Sequence, residues 1–492
     1  MSSLKHQAVK SVFWVTLANI IGKLAVFAST PIIVRNMTKE DIGAYGIIIS
    51  IVNICLIAVS FGFDYWYVRA RDRENWRYAV FFKIGVITTV TLSIVIFLCA
   101  HTVANWMKYP QMTEAIQCVG IYFVLGGTTQ IFYQYLAKHL LFKISSTATI
   151  ARQLIQAIMS IILVLILHNL YALVWSYIAG SLVEFFILSF ATRQPIVSAI
   201  KKWHSINLIS TYTRNYKFTI NMVGAQLVNS FAKLSVSPII GRTIGLSAAG
   251  VYATMDTAIS LPVNLIVGSI STTALPILSR INNKNLSLSN VRISKILLAI
   301  SIPFFIYALI YASKIIEIFL GPSWVSGTIV LRLLMVVAFV NLVVSPISQN
   351  FILKKKTDHL LYWNSILMIG NITILVTLGN LGLNLAILAF AIFNTVMRII
   401  LQIMLGKLLL LGTWGINKLY LETAPQTVAI SAFGLISYTA GSTFLKAFLL
   451  IIGLVSYILI LWKHQPCVAQ DLKNMWVVLF YGKKNKNSSL SG

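Results

Sequence analysis

The sequence predicts an all-α integral membrane protein of about fourteen transmembrane helices. They form two six-helix lobes, related by a pseudo-two-fold axis along the membrane normal, plus two C-terminal helices. Three observations carry that prediction. Apolar stretches of ~20 residues, the length a bilayer requires, recur from Ser11 to Trp462 with only short breaks. Lys and Arg collect in alternate connections. A motif at the end of the first span returns at the end of the seventh.

Composition agrees. Hydrophobic residues make up 58% of the chain and charged residues 10%, against roughly 45–50% and 25% in soluble domains. A net charge of +27 would suggest nucleic acid in a soluble chain. Here the accumulation of Lys and Arg in cytoplasmic loops accounts for it, so no nucleic-acid partner is expected. Cys55, Cys99, Cys118 and Cys467 are scattered in no metal-ligand or disulfide spacing. Met1 to Lys10 leads into a long span without a small-residue cleavage site, which reads as a first helix and not a removable signal.

The predicted spans are 11–35, 41–63, 78–105, 114–137, 146–167, 170–191, 216–240, 248–275, 293–320, 327–352, 360–379, 381–404, 425–445 and 446–463. They give an N-lobe at 1–191, a linker at 192–215, a C-lobe at 216–404, helices 13 and 14 within 405–463 and a basic tail at 464–492. One side carries Lys5, Lys10, the Arg69–Arg77 cluster, Lys138, Lys143, Lys201, Lys202, Arg280, Lys284, Lys354-Lys355-Lys356 and the tail lysines. The other has little beyond Arg35, Lys39, Lys108, Arg242 and Lys446. Both termini are therefore expected in the cytoplasm. Trp14, Trp66, Trp76, Trp106, Trp324, Trp363 and Trp462 fall near span ends, where indoles favour the headgroup zone. The linker interleaves Ile196, Ile200, Trp203, Ile206 and Leu208 with Lys201, Lys202 and Arg214, an amphipathic pattern suited to the inner membrane surface.

The repeat relates the lobes. Pro31, Ile32, Ile33, Arg35, Gly43 and Tyr45 match Pro238, Ile239, Ile240, Arg242, Gly250 and Tyr252 without a gap. Lys23 and Lys233 correspond once a three-residue gap is allowed. Both copies begin in an odd-numbered span, so they cross in the same direction and make parallel repeats.

Ionisable residues inside spans are costly in lipid and normally face a cavity or a partner. Lys23, Arg152, Lys233, Arg332 and Arg398 form the positive set and are the substrate-cavity candidates. Arg332 and Arg398 have a second reading, since long cationic side chains near span ends can reach the interface; Arg152 shares it. Against them stand Glu184 and Asp256, as coupling carboxylates or as counter-ions of a nearby cation. Lys314 and Glu317, three residues apart, can pair with each other. Pro31 and Pro238 each remove a backbone donor near the end of a lobe's first helix, and read either as bending points or as helix stops. A cavity with more cations than anions implies an anionic cargo, because guanidinium and ammonium groups suit phosphate and carboxylate.

No Walker loop, Gly-rich dinucleotide turn, HExxH or GxSxG motif occurs in its required context. The reading is a non-enzymatic secondary transporter without cofactor or metal.

Several stretches together resemble the polysaccharide transporter branch of the multidrug/oligosaccharidyl-lipid/polysaccharide (MOP) exporter superfamily. They are Pro31 to Gly46, Lys138 to Arg152 with Phe142-Lys143, and Leu320-Gly-Pro-Ser-Trp324 followed by Leu331-Arg-Leu-Leu334. That branch comprises the bacterial Wzx-type flippases of O-antigen, capsule and exopolysaccharide repeat units. The resemblance implies a multi-pass protein of the bacterial inner membrane. It would alternate between inward- and outward-open states and move undecaprenyl-diphosphate-linked oligosaccharides to the periplasmic leaflet. Membrane lipids, polysaccharide polymerase and export proteins are the further partners it implies. Two alternatives stand beside it: a multidrug/cation antiporter of the same fold, which would favour acidic cavity residues, and a peptidoglycan-precursor lipid flippase.

Overall fold

The computed structural model describes residues 2–59, 67, 75–202, 224, 227–228, 230–278, 283–348, 357–408, 412–466 and 468–470. Among them the secondary structure is helical throughout, with no strand. Arg69, Arg71, Arg73, the linker from Trp203 to Lys217, Arg280, Lys354-Lys355-Lys356 and the tail beyond Gln470 lie outside the described residues.

Ten of the described helices are long and apolar enough to cross a membrane. The chain is an all-α integral membrane protein. The first helices are α1 (Ser2–Asn36), α2 (Lys39–Val59), α3 (Asn75–Trp106), α4 (Met112–Lys138), α5 (Phe142–Leu167) and α6 (Leu170–Ala191). A short α7 (Arg193–Lys201) opens the linker, and α8 (Val236–Thr243) and α9 (Leu246–Leu278) follow. Then come α10 (Asn283–Ile310), α11 (Ala312–Phe319), α12 (Thr328–Ser348), α13 (Thr357–Leu378), α14 (Leu383–Leu408), α15 (Gly412–Thr439) and α16 (Thr443–His464).

Local chemistry sets several boundaries. Thr38 and Asp41 make a reciprocal N-terminal cap on α2: Asp41 N donates to Thr38 Oγ1 at 3.1 Å, and Thr38 Oγ1 donates to Asp41 Oδ2 at 2.8 Å. The span expected at 293–320 is interrupted at Tyr311 between α10 and α11. It ends in Gly321, whose φ of +104° turns the chain into a 3₁₀ segment at Pro322–Gly327. The thirteenth span ends at Thr439, short of the expected 445. The reason lies in Ser442, whose side chain accepts from Leu445 N at 3.1 Å and caps α16. Lys314 and Glu317 pair at 2.8 Å, as their spacing allows.

The chain divides into two compact units. The first contains residues 1–265, 319–330 and 357–393. Its helices pack closely where side chains are small. Ser93 Oγ on α3 donates to Gly120 O on α4 at 2.5 Å, and a Cβ on Gly180 of α6 would stand 2.7 Å from Arg152 O of α5. Ala199 of α7 is buried in a cluster with Tyr67, Phe81, Leu136 and Leu188, so the start of the linker lies on the bundle by its apolar face.

The second unit contains residues 266–318, 331–356 and 394–492. Leu298, Ile302, Val343, Ile430 and Tyr457 form its core. Tyr457 OH donates to Ala299 O and Tyr307 OH to Leu450 O, each at 2.9 Å, fastening α16 to α10. Tyr311 and Ser437 share a hydrogen bond at 2.8 Å, and Lys295 pairs with Glu422. The two C-terminal helices are thus built onto this unit through satisfied polar contacts within an apolar core.

Candidate functional site

The two copies of the repeated motif meet in the first unit. A Cβ placed on Gly43 of α2 would stand 2.8 Å from Gly250 N of α9, so these helices cross backbone to backbone at the matched glycines. One turn along, a Cβ at Gly46 would stand 3.2 Å from that of Ala253. Aromatic contacts surround the crossing in a swapped pattern. Lys39, beside the first copy, lies 5.4 Å from the ring centre of Trp324, which follows the ninth span. Arg242, in the second copy, lies 5.8 Å from Trp106, which ends the third. Trp324 is also fastened by its Nε1, which donates to Val34 O at 3.1 Å.

Beside this crossing lies a cavity of about 450 Å³. Its walls come from α1, α2, α5, α6, α8, α9 and Lys233-Leu234, and they include the repeat-matched Tyr45 and Tyr252. Hydroxyls and amides dominate the polar lining: Ser50, Asn53, Gln156, Ser176 and Thr257 are among them. Among the described residues, Lys233 and Asp256 are the charged ones on the wall, one of each sign.

The remaining sequence candidates fall at different places. Arg152 pairs with Glu184, Nε to Oε1 at 3.4 Å. Glu184 also accepts from the Tyr133 hydroxyl, which shares a hydrogen bond with Thr149 at 2.8 Å. Arg152 Nη1 donates to Gln156 Oε1 at 3.3 Å, and Gln156 Nε2 donates to Tyr45 OH at 3.3 Å. A polar chain therefore runs from the interior of α4, α5 and α6 to the cavity wall, with Gln156 and Tyr45 at its open end. Lys23 lies on α1 one turn before the wall residue Val26 and makes no hydrogen bond or ion pair among the described residues. Arg332 and Arg398 belong to the second unit. Arg332 Nε donates to Leu309 O at 3.1 Å, while Arg398 Nε is buried without a hydrogen-bond partner among the described residues.

The matched prolines also differ. Pro31 lies inside α1, which runs on to Asn36, whereas Pro238 lies three residues beyond a break at Ser235. Among the described residues no three His, Cys, Asp or Glu side chains gather as a metal site would need. Gln156 was not foreseen, because a lone amide in an apolar span has no distinguishing sequence signal. Tyr45 and Tyr252 had one, their place in the repeat.

A family model described as "Polysaccharide biosynthesis protein" matches residues 32–329, well over half of the chain. The chain belongs to this family. Relatives whose names state a pathway resemble it at low identity. The teichuronic acid biosynthesis protein TuaB of Bacillus subtilis is 21% identical over 74% of this chain and 75% of TuaB. The succinoglycan biosynthesis transport protein ExoT of Rhizobium meliloti is 20% identical over 51% of this chain and 49% of ExoT. Among solved structures, the lipid II flippase MurJ in an inward closed conformation superposes with a TM-score of 0.72 at 14% identity, covering 93% of this chain and 99% of MurJ. A MATE transporter of Vibrio cholerae, VcmN, gives 0.51 at 14% identity over 85% of this chain and all of VcmN. The chain therefore has the fold of these transporters, as the sequence resemblance implied.

Proposed function

We propose that the protein is a flippase for polyprenyl-diphosphate-linked oligosaccharide repeat units, moving them from the cytoplasmic to the periplasmic leaflet of a bacterial inner membrane. The observation that carries this reading is a polar cavity, walled by both copies of the repeated motif, inside a protein of a polysaccharide biosynthesis family. Membership supplies the pathway, and the cavity supplies a place for a hydrophilic head inside an apolar bundle. That ExoT is named a transport protein and MurJ a lipid flippase supports transport over synthesis.

In this reading the lobes 1–191 and 216–404 rock against each other about the repeat axis. Both termini lie in the cytoplasm, where the alternating Lys and Arg place them. The Arg35/Arg242 end of the bundle is then periplasmic, and the Gly43–Gly250 crossing closes the cavity on that side. Lys233 on the cavity wall and Lys23 one turn from it add positive charge along the route of an anionic cargo.

Deletion of the gene in its native host tests this directly. Surface polymer should vanish while lipid-linked repeat units accumulate in the inner leaflet. Normal polymer export in the deletion strain, with no second copy of such a gene, would refute it.

A further inference from the structure

We infer that the cavity beside the Gly43–Gly250 crossing is a sugar subsite: it holds the hydroxyl-rich head of the cargo, not its diphosphate. This rests on the flippase reading and narrows which part of the cargo the cavity takes.

The wall hydroxyls decide the matter. Ser29, Thr30, Ser50, Ser160, Ser176 and Thr257 line the cavity. Each gives its hydrogen to a carbonyl three or four residues back on its own helix, at 2.7 to 3.0 Å. A hydroxyl has one hydrogen and two lone pairs. With the hydrogen committed to the backbone, these six groups offer the cavity only acceptors. An ionised diphosphate also has only acceptors, so lone pair would face lone pair at these six positions. Among the described residues Lys233 is the one cation on the wall, and Asp256 carries the opposite charge there. A sugar, by contrast, brings a donor on every free hydroxyl.

Two further groups point the same way. Ser237 and Thr254 also line the cavity, and their hydroxyls are buried with no hydrogen-bond partner among the described residues. Those side chains are 7% and 4% exposed. Buried hydroxyls are normally satisfied, and a polyol supplies both the donor and the acceptor they lack. Asn53 adds an amide with two donors, and Tyr45 and Tyr252 bring rings whose faces suit the C–H side of a pyranose. An acceptor-lined wall with one carboxylate would also suit a metal cation, but size separates the two. About 450 Å³ falls within the ~300–1,000 Å³ of organic-ligand pockets, far above the ~30 Å³ share of a single water.

The test measures dissociation constants on the purified full-length chain in nanodiscs. The probes are bare undecaprenyl diphosphate and the same lipid carrying N-acetylglucosamine, galactose or glucose, with sodium chloride titrated separately. At least one glycosylated lipid should bind the wild type tenfold or more tightly than the bare lipid. Ser237→Ala with Thr254→Val should cut that advantage below threefold, while affinity for the bare lipid changes less than threefold. Asp256→Asn, which keeps the side chain's size, should reduce the advantage as well and carries the test should the double variant not fold. Equal weakening of bare and glycosylated lipids would place the diphosphate here and overturn the inference. So would wild-type protein that gains nothing from any sugar, or whose cavity variants lose only a response to sodium. Wild-type protein that binds none of the lipids would instead bring down the flippase reading itself.

Discussion

Gly43 and Gly250 approach each other reciprocally. A Cβ on Gly43 would stand 2.1 Å from the carbonyl oxygen of Leu246, four residues before Gly250. A Cβ on Gly250 would stand 1.9 Å from the carbonyl oxygen of Lys39, four residues before Gly43. Contact in which each element meets the other's equivalent position is what a two-fold axis between like surfaces produces. These are also the glycines that the sequence repeat pairs. The swapped contacts of Lys39 with Trp324 and Arg242 with Trp106 extend the crossing. Alternating access toward this end requires the crossing to separate.

Cysteines at Gly46 and Ala253 test that separation. Their Cβ atoms would be about 3.2 Å apart, close to the ~3.8 Å typical of a disulfide. Mild oxidation of the double variant should cross-link it and halt polymer export, and reduction should restore export. Full export by a fully cross-linked protein would show that this contact stays closed throughout transport.

Methyl groups at the crossing should force it apart. Gly43→Ala or Gly250→Ala overpacks two backbones, at a cost of about 1–3 kcal/mol. Neither neighbour is a side-chain tip that can swing away; both are helix carbonyls. Either variant should reduce cross-linking of the Gly46→Cys/Ala253→Cys pair several-fold and lower the melting temperature in detergent. Unaltered cross-linking would mean that the helices accommodate the methyl group without parting.

The Arg152–Glu184 pair should be structural. With side chains 25% and 10% exposed, removing one partner leaves the other charge poorly solvated, which typically costs about 3–5 kcal/mol for a buried pair. Arg152→Met should therefore lower protein abundance in the membrane. Arg152→Met with Glu184→Leu should recover most of it, because an apolar pair of similar volume leaves no orphan charge. Abundance is read by quantitative immunoblot and stability by thermal melting. A stable, normally abundant Arg152→Met that fails only in export would return Arg152 to the cavity.

The ten spans found among the described residues were legible because hydropathy and length are nearly all that a bilayer demands of a helix. The repeat was legible because Pro31-Ile-Ile-Val-Arg35 and Pro238-Ile-Ile-Gly-Arg242 share spacing as well as composition. The cavity was less so. Charge is the strongest polar signal in an apolar span, and it says that a partner exists without saying which. Arg152 found Glu184, Arg332 found a carbonyl, and the cavity wall drew instead on serines and threonines. Such residues are common in membrane helices, and back-bonding to their own carbonyls costs the helix little. Only three-dimensional placement separates the ones that line a cavity from the rest.

The two repeat lysines should contribute unequally. Lys233 is on the cavity wall, whereas Lys23 lies one turn from it. Lys233→Ala should reduce polymer export strongly and Lys23→Ala more weakly, with both proteins near normal abundance. Removing a cation that faces a cavity weakens attraction of an anionic cargo, and normal abundance separates that loss from loss of a structural contact. Immunoblots of membranes beside polymer quantification check this. Loss of either protein from the membrane would make that lysine a structural group.

The matched prolines should separate in the same way. Proline removes the hydrogen bond to the carbonyl four residues earlier and crowds it. At Pro31 the surrounding helix continues without interruption to Asn36, helped by Ser29 and Thr30, whose hydroxyls donate to Val26 O. At Pro238 the helix has already broken at Ser235, whose N–H and hydroxyl both turn back to Phe231 O. The regular helix is interrupted in the second copy alone, and Pro238 leaves the Leu234 carbonyl without its helical donor. Pro238→Ala restores that donor and should straighten the segment, raising the melting temperature while slowing export. Pro31→Ala should change both far less. Cross-linking of the Gly46→Cys/Ala253→Cys pair in each background reports the closed population. If Pro238→Ala leaves export, stability and cross-linking unchanged, the break at Ser235 is set by packing, and the proline only follows it.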